Sequence, residues 1–199
     1  MRWEALFNDL EMQWEAAEAA DLAAEVADRT RREVARLRLV DRLRPCVGEV
    51  LRFGTAGTSR SREESALAGR LVALGSDWLL IEEQGGREVL VATAALLWVD
   101  GLSPASALPG HEGALARRLD LRYALRGLCR DRAVLAVTLV DGSFLRGLAH
   151  RVGADFLELV DASADGEPRW DRSAGAAGAR AGRRVRTVTL NALAVVRSV

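Results

Sequence analysis

The stretch Val134 to Val160, VLAVTLVDGSFLRGLAHRVGADFLELV, restricts the fold of this chain more than any other, because it reads as three consecutive antiparallel strands and recurs in degenerate form earlier in the sequence. Leu135, Val137 and Leu139 fall on one face and Ala136 and Thr138 on the other, the period of two expected of a half-buried strand. Asp141-Gly142 between apolar runs predicts a two-residue type I′ hairpin, which needs φ > 0 at both positions. Gly147 within the next run predicts a bend or bulge. Gly153-Ala154-Asp155 predicts a second turn, followed by a strand carrying Phe156, Leu157 and Leu159.

The twin begins with a helix. Arg31 to Arg44, ended by Pro45, answers Ala116 to Arg126, closed by Gly127, with Arg36-Leu37 matching Arg118-Leu119, Leu39 matching Leu121 and Leu43-Arg44 matching Leu125-Arg126. Val50 to Phe53 then stands where Val137 to Leu139 stands, a polar loop from Gly54 to Ser65 replacing the tight Asp-Gly turn. Leu67-Ala68-Gly69 answers Leu145-Arg146-Gly147, and Gly75-Ser76-Asp77-Trp78-Leu79 answers Gly153-Ala154-Asp155-Phe156-Leu157. Val89 to Val99 answers Val188 to Val199. This ordered correspondence predicts an internal duplication. The expected organisation is an acidic helix over 1–28, a first domain over 29–100, a Pro- and Gly-bearing linker over 101–113 and a second domain over 114–199. The second domain carries a Gly-, Ala-, Ser- and Arg-rich surface loop over 161–184.

In the first segment Trp3, Phe7, Leu10, Trp14 and Ala17 recur at helical spacing, so an amphipathic helix is expected, ending or kinking near Asp28 to Thr30. Residues 1–28 hold eight acidic side chains against Arg2 alone, a balance of −7, so the neutral chain carries +7 elsewhere. Opposite signs in the two parts fit an acidic arm beside a basic body, or simply a solvated helix face. All 28 basic residues are Arg, as GC-rich coding would produce, which discounts any Arg cluster as a phosphate site. No signal peptide or membrane helix is expected, and the two cysteines, Cys46 and Cys129, are expected as reduced thiols in a cytoplasmic protein.

A leading helix, then strand, Asp-Gly, strand with Gly, strand and a short closing pair resembles the Sm and Sm-like small β-barrel family over Arg31 to Asp100 and Ala116 to Val199. The resemblance implies an α+β, mainly β chain: two tandem five-stranded Sm/SH3-like barrels, each led by a helix, after the N-terminal acidic amphipathic helix. The family's strand glycine falls on Gly69 and Gly147. Its RNA pocket, an Asp and Asn after the second strand and an Arg-Gly before the last, is not carried over, since the turns hold only Asp77 and Asp155 and the closing corners read Ala92-Thr93 and Asn191-Ala192.

Chemistry-bearing patterns are sparse. A P-loop requires lysine, which the chain lacks; His111 and His150 have no metal-ligand spacing with either cysteine; no nucleophile elbow occurs. No catalytic residue, metal or cofactor is therefore expected, and the chain reads as a binding protein. One expectation is a nucleic-acid-associated regulator contacting RNA or DNA phosphates through Arg180, Arg183, Arg184 and Arg186, with Trp170 stacking a base and Arg31 and Arg32 at the helix start. The alternative is a protein-interaction or assembly module that binds a partner or itself through residues 1–28, with Trp3, Phe7, Leu10 and Trp14 as the docking stripe, and through barrel edges.

Overall fold

Residues 2–34 contain neither Gly nor Pro, and they form one uninterrupted helix, α1 (Arg2–Val34). This is a computed structural model, and it describes residues 2–57, 66–108, 119–161 and 185–199. The expected break near Asp28 to Thr30 does not occur. Charge pairs at helical spacing hold that turn together: Asp28 with Arg31 (3.7 Å) and Arg32, and Arg29 with Glu33 (3.8 Å). Thr30 also donates its hydroxyl to the Val26 carbonyl at 2.8 Å instead of capping a new helix. The helix expected over 31–44 is thus divided: Arg31 to Val34 belong to α1, α2 (Leu39–Leu43) follows, and Pro45 sits in a 3-10 turn over Arg44–Cys46. The chain separates into two compact units, 1–39 and 40–199.

Among its described residues the second unit holds ten strands, namely β1 (Val50–Thr55), β2 (Leu67–Leu74), β3 (Trp78–Glu83), β4 (Glu88–Ala92), β5 (Leu96–Asp100), β6 (Val134–Leu139), β7 (Phe144–Val152), β8 (Phe156–Asp161), β9 (Val185–Thr189) and β10 (Leu193–Ser198). Before β6 lies α3 (Leu121–Arg130), which runs through Gly127 rather than closing there. All ten strands join one antiparallel sheet in the order β5-β1-β2-β3-β4-β10-β6-β7-β8-β9. This overturns the expectation of two separate five-stranded barrels. The same order occurs twice, 5-1-2-3-4 and 10-6-7-8-9, but the halves are fused by an antiparallel pair of β4 with β10, in which Val195 faces Val91, Val196 faces Leu90 and Arg197 faces Val89. The physical reason is that a strand at a sheet edge presents unpaired N–H and C=O groups, and here the two halves satisfy each other's.

Alternation sets the inner face. Leu51 and Phe53 on β1, Leu79 and Ile81 on β3, Leu135 and Val137 on β6 and Leu157 and Leu159 on β8 are all buried, and they belong to a single apolar cluster spanning both halves. Each such side chain contributes about 1.5–3 kcal/mol on burial.

Two turn expectations change in detail. Gly142 has φ 89°, but Asp141 is not in the left-handed region, so the hairpin is not type I′. Leu139 N–H donates to Ser143 O (2.9 Å) and Gly142 N–H to Leu139 O (3.0 Å), a three-residue loop in which only Gly142 needs φ > 0. Asp141 stays at negative φ because its carboxylate accepts from both Ser143 N–H and Ser143 Oγ at 2.8 Å. Gly147 marks no bulge either: the register shifts between Ala149 and Arg151, and between Leu71 and Ala73 in the first half. Gly69 and Gly147 instead allow close backbone approach, since a Cβ on Gly147 would lie 2.7 Å from Val160 O and one on Gly69 would meet Glu82 O.

Opposite effects are expected from alanine at two glycines. Gly147→Ala should destabilise by about 1–3 kcal/mol through forced overpacking. Gly127→Ala, whose Cβ would meet only the Arg130 guanidinium at 4.0 Å, should stabilise by about 0.5–1 kcal/mol through helix propensity. Urea unfolding of the two variants checks this; equal effects would refute the assignment.

Candidate functional site

Among the described residues the two end strands of the sheet each have a single strand partner: β5 pairs only with β1 and β9 only with β8. The pairing registers relate the halves strand by strand. Gly69 and Gly147 occupy the same place, as do Trp78 and Phe156, and their partners Ala92 and Thr189 make β9 the counterpart of β4. Phe53 pairs with Val99 as Val137 pairs with Val196, which makes β5 the counterpart of β10. So the strands that meet at the central seam, β4 and β10, have their counterparts, β9 and β5, at the two ends.

Burial records the difference. Val89, Leu90, Val91 and Ala92 on β4 are all buried, as are Leu193 through Val196 on β10. Their counterparts are uncovered: on β9 only Val188 is buried, and on β5 Leu97 is 69% exposed, with Trp98 and Val99 half-buried and Asp100 exposed. The backbone direction also follows. Leu190 N–H donates to Asp155 O at 2.8 Å, so strand alternation turns the N–H of Val188 toward β8 and that of Thr187 away from the sheet. Val199 N–H donates to Val134 O at 3.0 Å, which by the same alternation turns Val196, and its counterpart Val99, outward.

At the seam itself Arg197 reaches the neighbouring half, with its guanidinium 3.1 Å from the Glu83 carboxylate. The pair is partly exposed and worth about 0–1 kcal/mol, so the seam is held chiefly by backbone pairing and valine packing. A second contact between halves lies at the start of α3. Trp78 Nε1–H donates to Leu119 O (2.9 Å), and the Asp77 carboxylate accepts from Leu121 N–H (2.7 Å). Asp77 thus caps a helix of the other half instead of its own turn, and Asp120, the N-cap, accepts from Tyr123 N–H at 2.8 Å. Trp78 lies in the core, whereas its counterpart Phe156 is half-buried, with the Arg151 guanidinium 6.0 Å from its ring centre.

Ser76, Asp77, Asp120, Arg122, Asp155 and Asn191 line a cleft of about 480 Å³ beside this helix start. Two of its three carboxylates, those of Asp77 and Asp120, are engaged. Burial pushes the Asp120 pKa up, but the Tyr123 N–H, the Arg122 hydrogen bond and the charges of Arg122 and Arg126 outweigh it and hold the group below the usual carboxylate value. Asp77 is occupied with Leu121. Asp77 and Asp120 thus serve as capping groups at the start of α3.

The sequence-predicted residues are scattered. Trp3, Phe7, Leu10 and Trp14 lie on α1, exposed by 73%, 61%, 51% and 73%, with Leu6 and Met12 exposed between them, so the stripe is not a closed face within its own unit. Arg31 and Arg32 share Asp28 on the last turns of α1. Arg186 is exposed on β9, while Trp170, Arg180, Arg183 and Arg184 lie outside the described residues. His150 is exposed on β7; His111 lies outside the described residues. Cys46 is buried and Cys129 half-buried, both as free thiols, and burial pushes the Cys129 thiol up. Among the described residues no cluster of three His, Cys, Asp or Glu could hold a metal, and no helix is long and apolar enough to cross a membrane. The edge residues Asp100, Val99 and Thr187 were not singled out by sequence reasoning. The available signal was a charge exchange between the copies, Asp100 standing where the other copy has Arg197 and Arg186 where it has Val89.

No family model matches the chain, and no curated protein or solved structure matches it.

The Asp120 cap predicts an acid dependence of stability. Because the folded-state pKa is depressed, its contribution is full above the unfolded carboxylate value of about 3.9 and is lost as pH falls through the folded value. Unfolding free energy measured by urea titration should therefore drop below about pH 4, and Asp120→Asn should flatten part of that slope. An unchanged slope would remove Asp120 from the account.

Proposed function

We propose that this chain is a non-catalytic assembly module that joins protein partners by strand addition at the two open ends of its sheet. One observation carries the reading. The strands corresponding to the two ends are bonded to each other and buried at the seam, while β9 and β5, among the described residues, have no strand on their outward side. A strand edge binds another strand through main-chain hydrogen bonds, with alternate side chains supplying specificity. Leu97 at 69%, Val185 at 45% and the half-buried Trp98 give these edges the apolar surface such a joint needs.

The nucleic-acid reading draws less support from the described residues. Of its candidates there, Arg31 and Arg32 lie beside Asp28, leaving Arg186 alone on β9. A phosphate-binding surface relies on several clustered cations.

The test is the native size of the tagged full chain in lysate of the cells that make it, with and without nuclease. The expected result is a nuclease-resistant assembly larger than the 21.5 kDa monomer that shifts to smaller size in Thr187→Pro, which deletes an outward N–H and leaves the β8 pairing untouched. Thermal unfolding of the variant separates edge loss from misfolding. A monomeric wild type, or an assembly dissolved by nuclease and indifferent to the proline, would overturn the reading, the latter in favour of nucleic acid.

A further inference from the structure

We infer that the partner of each open edge is the opposite edge of a second copy of this chain, joined head to tail as β9 on β5. The inference rests on the reading that these edges are the working surfaces, and the seam inside the chain supplies its geometry. Where the seam pairs Val91 with Val195, Leu90 with Val196 and Val89 with Arg197, the same correspondence between two copies pairs Val188 with Trp98, Thr187 with Val99 and Arg186 with Asp100.

Each of these three pairs is chemically matched. Val188 and Trp98 form an apolar pair. Thr187 and Val99 both turn their N–H groups outward, which is the arrangement of a hydrogen-bonded pair. Arg186 and Asp100, both exposed, are opposite charges set directly across from each other. The last match is the informative one. At the seam the basic residue lies on the β10 side and faces a valine, reaching Glu83 one strand further in. At the ends the β5 side carries an acid, and the base has moved to the facing strand, in the position of Val89. Asp100 stands directly opposite Arg52 within its own chain, where the other half has Ala136 opposite Arg197, and a joint would add Arg186 on its other side. Asp161 holds the place of Glu83, on the strand next to Arg186. A joint of like edges has no counterpart in the molecule. Head-to-tail joining leaves one β5 edge and one β9 edge open after every addition, so association continues past the dimer until it closes on itself or runs on.

Arg186 has a competing explanation. A charge on an edge strand, at a position that is apolar in the paired copy, is also a device that prevents strand pairing. The two explanations predict opposite behaviour. Sedimentation of the purified full chain over a broad concentration range at low salt is expected to show species beyond the dimer. Asp100→Arg and Arg186→Asp should each weaken association about tenfold or more, and the double variant, or a mixture of the two single variants, should restore it. Unchanged thermal unfolding confirms that the exposed substitutions leave the fold intact. A wild type that stays monomeric while Arg186→Val associates would assign Arg186 as an edge guard and overturn the inference. Association insensitive to both single reversals, or not regained on combining them, would overturn it as well. A pure chain that is monomeric, beside a lysate assembly still sensitive to Thr187→Pro, would remove the second copy as partner and leave the edge reading standing.

Discussion

Backbone hydrogen bonding at strand edges is the constraint on which this structure depends. Each half supplies five strands and therefore two ends, and a buried N–H or C=O group without a partner costs about 1–3 kcal/mol, as much as a buried core side chain contributes. Pairing β4 with β10 removes two of the four ends and, in doing so, buries the apolar strands Val89–Ala92 and Leu193–Val196. Neither half has this cover by itself. The single apolar cluster that runs through both halves is the packing consequence.

The remaining two ends are where the two halves differ most. Val89 is replaced by Arg186, Leu90 by Thr187, Val196 is kept as Val99, and Arg197 becomes Asp100. These exchanges make the end strands more soluble than the seam strands while keeping their outward hydrogen-bonding groups. A similar division separates the two aromatic turns. Trp78 is drawn into the core and tied to Leu119 O, with Asp77 capping α3, whereas Phe156 stays half-covered beneath Arg151. The first copy is thus committed to holding the second copy's helix, and the second copy's equivalent turn has no such duty among the described residues.

Much of the local structure was legible because it depends on neighbours in sequence. The strands from Val134 to Val160 fall where alternation put them and Gly69 and Gly147 hold equivalent places, but Val50–Phe53 answers Val134–Val137 and not Val137–Leu139, since Leu51 pairs with Gly69 as Leu135 pairs with Gly147. Errors arose where two local signals compete. Asp141-Gly142 satisfies a type I′ pattern, yet its carboxylate finds Ser143 and the loop closes with one left-handed residue. Asp28 to Thr30 resembled a helix end, yet i,i+4 ion pairs carry α1 through it.

The sequence by itself determined most of the strand segments and that their arrangement is used twice, because periodicity and turn chemistry act over a few residues. Only the tertiary structure decided that the halves share one sheet and which of its edges stay open. A β-strand offers the same N–H and C=O groups on both sides whatever its side chains, so the choice of neighbour lies in the packing of Val91 on Val195 and Leu90 on Val196, which are about 100 residues apart.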